Sequence, residues 1–246
     1  MTQRRIELFY DVISPYTYLA WRTLAAYQPR WGFELEARPM FLGGVMMATK
    51  NQPPGTLKPK GAFLAVDLMR QAAVMDVPLL PTPSNFFSEA ARQVVLMQRV
   101  LTASAADAAD GTTASYADEP ELNLLTTAFA TALHADPNFR DGDALQPIDD
   151  EFLGRCCAAA GVSRARAEQL LQAANKAPAK EALKATTGEA VKRGVFGSPT
   201  MFVHDTGLRT VAVNGVSDNG FVFGSDRFEH IAMMLGETYE GPNPRY

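Results

Sequence analysis

The sequence predicts an α/β protein. A strand–helix–strand unit opens it, a helix, a β-hairpin and a final helix close it, and a long helical block lies between. Three observations carry this. Bulky residues alternate near both ends of the chain, as half-buried strands require. In the middle, apolar residues recur at helical spacing. The first alternating run stops at a Ser-Pro pair, a sequence signal for a helix start.

Taken in order, Arg5 to Val12 (R-I-E-L-F-Y-D-V) reads as a strand. Behind Ser14-Pro15, residues Leu19, Ala20, Thr23, Leu24 and Tyr27 recur at helical spacing. Serine caps a helix through its side-chain oxygen, and proline suits the first helical position because its missing N–H had no partner there. Phe33 to Arg38 alternates again, and strand–helix–strand implies a right-handed crossover with parallel pairing. Phe41 to Gly61 is rich in Gly, Pro, Met and Lys and reads as a long ordered loop. Helices are expected over 61–75, 86–101, 121–133, 149–160, 163–174 and 179–193, with Gly161 and Gly194 placed to end two of them. The small, polar tract from Thr102 to Pro120 reads as a mobile loop, and the block has no strand pattern. Strand pattern returns at Thr200–His204, Thr210–Asn214 and Gly220–Phe223. A last helix is expected to open at Ser225-Asp226 and end at Gly236, with Phe228, Ile231, Ala232 and Leu235 on its inner face. This is the thioredoxin arrangement: a thioredoxin-like βαβ…αββα domain (1–40 and 190–246) with a helical insertion after the second strand (41–189).

Composition excludes several classes. The 246 residues are 47% apolar and 20% charged, so a sizeable core is expected and global disorder is not. A formal net charge of −4 argues against nucleic-acid binding and against docking on anionic membranes. No apolar run approaches the roughly 18–20 residues of a membrane span. Neither a secretory nor a transit leader nor a Ser-Lys-Leu ending is evident, so a cytoplasmic location is expected. Cys156 and Cys157 are adjacent in a helical run and read as reduced core residues, with a thiol switch as the alternative. His134, His204 and His230 lie far apart, and no pair has metal-ligand spacing, so no metal site is expected.

Four motifs carry chemistry. The first is Y-D-V-I-S-P-Y-T (10–17). Thioredoxin-like oxidoreductases hold C-x-x-C at this strand-to-helix turn, where the helix N-terminus lowers a cysteine pKa. Ser14 and Thr17 take the two places here, so dithiol exchange is closed. The turn keeps its positive dipole end and a hydroxyl donor, which suit an anion on a ligand, a thiolate above all. Taken alone, Ser14 also reads as a plain cap. The second is V-F-G-S-P-T (195–200), where a proline opens a strand after a Gly/Ser turn. A cis peptide before Pro199 would leave the Ser198 backbone to pair with an extended peptide; an ordinary turn proline is the alternative. The third is F-G-S-D-R (223–227), where Ser225 and Asp226 suit the carboxylate and ammonium of an amino-acid head group, or merely cap a helix. The fourth is N-Q-P-P-G-T-L-K-P-K-G (51–61), a proline-stiffened cationic loop that suits a second carboxylate or simply aids solubility. An amino-acid head, a short peptide backbone, a thiol and a distal carboxylate together describe glutathione.

The sequence resembles the kappa-class glutathione transferases and the related 2-hydroxychromene-2-carboxylate isomerases. The matching stretches are F-Y-D-V-I-S-P-Y-T-Y-L (9–19), N-Q-P-P-G (51–55) with P-K-G (59–61), V-F-G-S-P-T (195–200) and F-G-S-D-R (223–227), in the family's order. The resemblance implies glutathione as co-substrate and a homodimer. It implies that Ser14 is catalytic, hydrogen-bonding the sulfur and stabilising its thiolate. It further implies that the Ser198 backbone, before cis-Pro199, pairs with the cysteinyl backbone. Ser225 and Asp226 would hold the γ-glutamyl end, and Asn51 and Lys60 would bind nearer the glycine end. Met46, Met47, Phe86 and Phe87 are the expected apolar lining for a hydrophobic electrophile. Three activities follow. One is conjugation in detoxification, with peroxide reduction beside it; one is glutathione-assisted isomerisation in aromatic catabolism; the third is a non-catalytic binding module. Residue 198 is often larger and apolar in kappa enzymes, and the 102–120 and 205–220 segments read as enlarged.

Overall fold

The computed structural model describes residues 4–108, 119–204 and 219–244. Strand β1 (Arg5–Tyr10), helix α1 (Pro15–Trp31) and strand β2 (Glu34–Pro39) come first. The middle holds α2 (Leu42–Thr49), α3 (Lys58–Met75), the short α4 (Ala91–Gln93), α5 (Val95–Ala108) and α6 (Pro120–His134). It continues with the two-residue strands β3 (Arg140–Asp141) and β4 (Ala144–Leu145), then α7 (Asp150–Ala159), α8 (Arg164–Ala174) and α9 (Ala177–Lys192). Strands β5 (Thr200–His204) and β6 (Phe221–Phe223) and helix α10 (Phe228–Leu235) close the chain.

The main sheet has the order β2-β1-β5-β6. Strand β1 pairs parallel with β2 and antiparallel with β5, which pairs antiparallel with β6. Because β1 is central, both its faces are covered: Ile6, Leu8 and Tyr10 join the largest apolar cluster, while Phe9 packs with Phe202, Met40 and Val45 on the other side. Glu7 is buried in the same strand. Burial pushes its carboxyl up, but hydrogen bonds from Arg38, Arg193 and His204 outweigh that and hold it below the ordinary range. Arg193 also lies 3.7 Å over the Phe202 ring.

Several sequence expectations need correction. The 41–61 stretch is not all loop: it contains α2 and a single 3₁₀ turn at Pro54–Thr56. Gly43 and Gly44 hide α2 from a propensity argument; tertiary contacts make it, with Val45 buried in the core. The middle block does carry strand, in the β3–β4 ribbon. The expected 86–101 helix is broken into a π turn at Phe86–Ala90, α4 and α5. Helix α5 runs on to Ala108, so Thr102–Asp107 is not loop; Thr102, Ala103, Ser104 and Ala105 are buried there. Residues 109–118 of that tract lie outside the described residues, as do the Thr210–Asn214 strand and most of the 205–220 hairpin. Gly161 and Gly194 do end helices, both at positive φ (75° and 85°). Cys156 and Cys157 are free and buried, and burial pushes both thiols up, Cys157 to about 11. No described helix is long and apolar enough to cross a membrane.

Candidate active site

The site is built on the turn from β1 into α1. Ser14 caps the helix in extended conformation, its side-chain oxygen accepting from the Thr17 N–H at 3.4 Å, and Pro15 takes the first helical position. Buried polar side chains fix the turn from behind. Asp11 has no exposed surface; its two carboxylate oxygens accept from the Ile13 N–H (3.1 Å) and the Leu42 N–H (2.9 Å). Burial raises its carboxyl to about 6 despite those two donors. From α5, the Gln98 amide donates to the Tyr10 carbonyl (2.8 Å) and the Met40 carbonyl (2.7 Å). From α6, His134 Nε2 lies 2.8 Å from the Val12 carbonyl. Burial pushes the His134 imidazole down to about 4, so it is neutral at pH 7 and its Nε2–H is the donor. The helical block thus holds the end of β1 and the residues leading into Ser14.

The 195–200 loop faces this turn. The Ser198–Pro199 peptide is cis. Ser14 Oγ donates to the Ser198 carbonyl at 3.1 Å. Ser198 Oγ accepts from the Asp11 N–H at 2.9 Å and shares a hydrogen bond with Thr17 Oγ1 at 2.8 Å. A hydroxyl at position 198 therefore ties the loop to the turn, which an apolar side chain cannot do. Gly197 lets the loop lie against Phe223, whose Cε2 would be 2.7 Å from a Cβ at 197.

A cavity of about 830 Å³ opens in front of the turn. Ser14, Met46, Asn51, Lys60, Phe86, Phe87, Ser198, Ser225 and Asp226 all line it. Two expected residues do not. Met47 is 80% exposed, because one residue along a helix turns a side chain about 100° away from Met46. Pro199 is buried behind Ser198. Asn51 is already engaged: its amide donates to the Phe196 carbonyl (2.8 Å) and its oxygen accepts from the Gln52 N–H (2.9 Å). It ties the 51–55 loop to the cis-proline loop. Gly61 packs the start of α3, and with it Lys60, against that loop; a Cβ there would sit 2.8 Å from the Gly55 carbonyl oxygen. Ser225 and Asp226 are not at a helix start. Helix α10 begins at Phe228, behind a bend at Gly224 (φ 99°). Asp226 Oδ2 instead accepts from Arg227 at 2.8 Å.

Sequence reasoning missed Asp11, Tyr16 and Asp67, which also line the cavity. The Tyr16 hydroxyl donates to Asp67 Oδ2 at 2.8 Å, and burial together with that carboxylate pushes the phenol well up, so it stays neutral. A signal for Asp67 was present. Lys60, Phe63, Leu64, Asp67 and Gln71 follow the i, i+3, i+4, i+7, i+11 spacing of one helix face, and all five line the cavity. Phe41, Leu42 and Val94 extend its apolar wall. Among the described residues no group of three or more His, Cys, Asp or Glu is placed to hold a metal ion. The arrangement offers a helix N-terminus and a hydroxyl to an anion, a backbone edge to a peptide, charged groups at its mouth and apolar walls around them.

The family profile of the DSBA-like thioredoxin domain matches residues 5–236. Glutathione S-transferase kappa 1 of Rattus norvegicus is 32% identical over 243 residues, covering 98% of this chain and 95% of that protein. The Homo sapiens glutathione S-transferase kappa 1 is 33% identical over 241 residues, with the same coverage. The chain belongs to the DSBA-like thioredoxin family, in its kappa glutathione transferase class. A solved structure of a 2-hydroxychromene-2-carboxylate isomerase superposes on this family member with a TM-score of 0.67 at 22% identity, over 94% of each chain, and so shares the fold.

Proposed function

We propose that this chain is a glutathione transferase of the kappa type, which ionises glutathione and directs its thiolate onto a hydrophobic electrophile. The observation that supports this best is one cavity bounded by a sulfur-free, serine-capped helix start and by the backbone before a cis-proline. Dithiol exchange needs a cysteine at that turn, and the two cysteines lie buried in α7.

In this reading the tripeptide lies across the two loops. The Ser198 backbone pairs with its cysteinyl residue in β fashion. Asp226, with Ser225 beside it, takes the γ-glutamyl head, Lys60 draws the glycine carboxylate, and Asn51 keeps the two loops in register. A free thiol has a pKa of about 8.5, so only a few per cent is ionised at pH 7. Lowering it by about 2 units takes roughly 2.7 kcal/mol of preferential anion stabilisation. A hydrogen bond from Ser14 to the thiolate supplies about 1.5–3 kcal/mol, and the start of α1 adds about 0.3–2. The turn therefore suffices without a general base. The thiolate then attacks an electrophile held against Met46, Phe86 and Phe87. A homodimer and a cytoplasmic location belong to the same reading and rest on the resemblance and on the sequence.

The test is calorimetric titration with glutathione, followed by turnover of 1-chloro-2,4-dinitrobenzene. Binding at millimolar glutathione or below, with turnover, is expected. No binding would overturn the reading. Faster conversion of a hydroxychromene carboxylate than of the dinitrobenzene would replace it with the isomerase.

A further inference from the structure

A serine hydroxyl has one proton to donate. Here the Ser14 proton is in use: Oγ donates to the Ser198 carbonyl at 3.1 Å while accepting from the Thr17 N–H. Two tasks of the site therefore fall on groups that already hold each other, and the single Ser14 proton can serve only one partner at a time. A thiolate needs the Ser14 proton, and a peptide pairing with the cis-proline loop needs the Ser198 carbonyl. Three neighbouring positions offer no free donor in its place. The Ser14 N–H is bonded to the Asp11 carbonyl at 3.1 Å, the Thr17 hydroxyl is bonded to Ser198 Oγ, and Pro15 has no N–H.

We propose that Ser14 is a ligand-released donor: the cysteinyl amide N–H of a peptide thiol takes over the Ser198 carbonyl, and the freed Ser14 hydroxyl turns onto the sulfur. This rests on the glutathione reading above. The exchange is a rotation about the Ser14 side-chain bond. Ser14 keeps its proton throughout, the thiol S–H bond is the one that breaks, and the thiol proton leaves to solvent. The Ser198 carbonyl has a donor in both states, so neither carries the penalty of an unsatisfied acceptor. Thiol ionisation is thereby conditional on a backbone N–H. A small thiol without that amide leaves Ser14 on Ser198 and forgoes that hydrogen bond even while it occupies the cavity, so it ionises less readily than a peptide thiol. Selectivity for peptide thiols is built into the activation step rather than into affinity alone.

The experiment compares glutathione with an analogue in which an ester oxygen replaces the cysteinyl N–H, using the full chain. Calorimetry gives the affinity, and ultraviolet absorbance of the bound thiolate against pH gives the thiol pKa, each referenced to the same thiol in solution. Glutathione is expected to titrate about 2 pH units below its solution value. The ester analogue is expected to bind within about tenfold of glutathione, since one neutral hydrogen bond is lost, and to titrate about 1–2 pH units above bound glutathione, keeping only the lowering that the start of α1 supplies. In Ser14→Ala the two bound thiols should show the same shift. An ester thiol lowered as far as glutathione's overturns the proposal. So does failure of the analogue to bind at 100 times the glutathione Kd, or a difference between the two ligands that survives in Ser14→Ala. Failure of glutathione itself to bind overturns the functional reading instead.

Discussion

Replacing Gln98 with methionine removes one buried amide and keeps the side-chain volume nearly constant. Gln98 has no exposed surface, and its Nε2 bonds the carbonyls of Tyr10, which ends β1, and of Met40, the residue after β2. The Tyr10 carbonyl also accepts from the Met40 N–H at 2.8 Å, so it keeps a partner. The Met40 carbonyl loses the Gln98 donor, and the Val12 N–H loses its longer 3.5 Å bond to Gln98 Oε1. A buried acceptor left without its donor costs about 1–3 kcal/mol, and each neutral bond lost costs about 0.5–1.5 kcal/mol more. Burial of the methionine offsets part of this, and a net loss of about 2–4 kcal/mol is expected. Urea unfolding followed by the fluorescence of Trp21 and Trp31 measures it, provided the denaturant slope is unchanged. A loss below about 0.5 kcal/mol, the size of an ordinary surface substitution, would refute the idea that α5 pins the strand ends beneath the Ser14 turn.

Asp11 makes stability depend on pH. Its carboxyl is raised from 3.8 to about 6, so its contribution is fully present below the lower value and is lost as pH rises through the upper one. The stability of Asp11→Asn relative to the parent should therefore improve by about 2–3 kcal/mol between pH 4 and pH 7.5; a pH-independent difference contradicts this. Cys156 and Cys157 should resist a thiol reagent in the native protein and react only on unfolding, and fast native labelling of either would refute their burial in the core. Phe87→Ala should raise the KM for an apolar electrophile by roughly fivefold to tenfold, as loss of partial ring burial implies. It should leave the glutathione Kd within about threefold, and an unchanged KM would remove Phe87 from the acceptor wall.

The elements that follow a strong local rule were legible in the sequence. Alternation gave β1 and β2, Ser14-Pro15 gave the start of α1, and Gly161 and Gly194 marked helix ends, because burial patterns and caps act over a few residues. The cis peptide before Pro199 was legible as a candidate, since it combines a turn with a strand start. Elements made by distant contacts were not. Helix α2 contains two glycines and is held by the Asp11 carboxylate, which no local pattern reveals. The bend at Ser225 and Asp226 looked like a cap because serine and aspartate favour both settings; Gly224 at φ 99°, with an Asp226 oxygen 2.8 Å from where its Cβ would lie, decides for the bend. Met47 shared Met46's composition but not its face. Asp11 and Tyr16 stand inside the 10–17 motif, but their roles are not legible there, because a carboxylate's burial and a phenol's partner are properties of the folded site.

The most direct measurement is a pH titration of the thiol of glutathione bound to the parent protein and to Ser14→Ala. A bound pKa near 6.5 is expected in the parent, against about 8.5 for a free thiol, with a rise of about 1–2 units when the hydroxyl is removed. Bound glutathione that titrates as it does in solution, or identically in the two proteins, would contradict it.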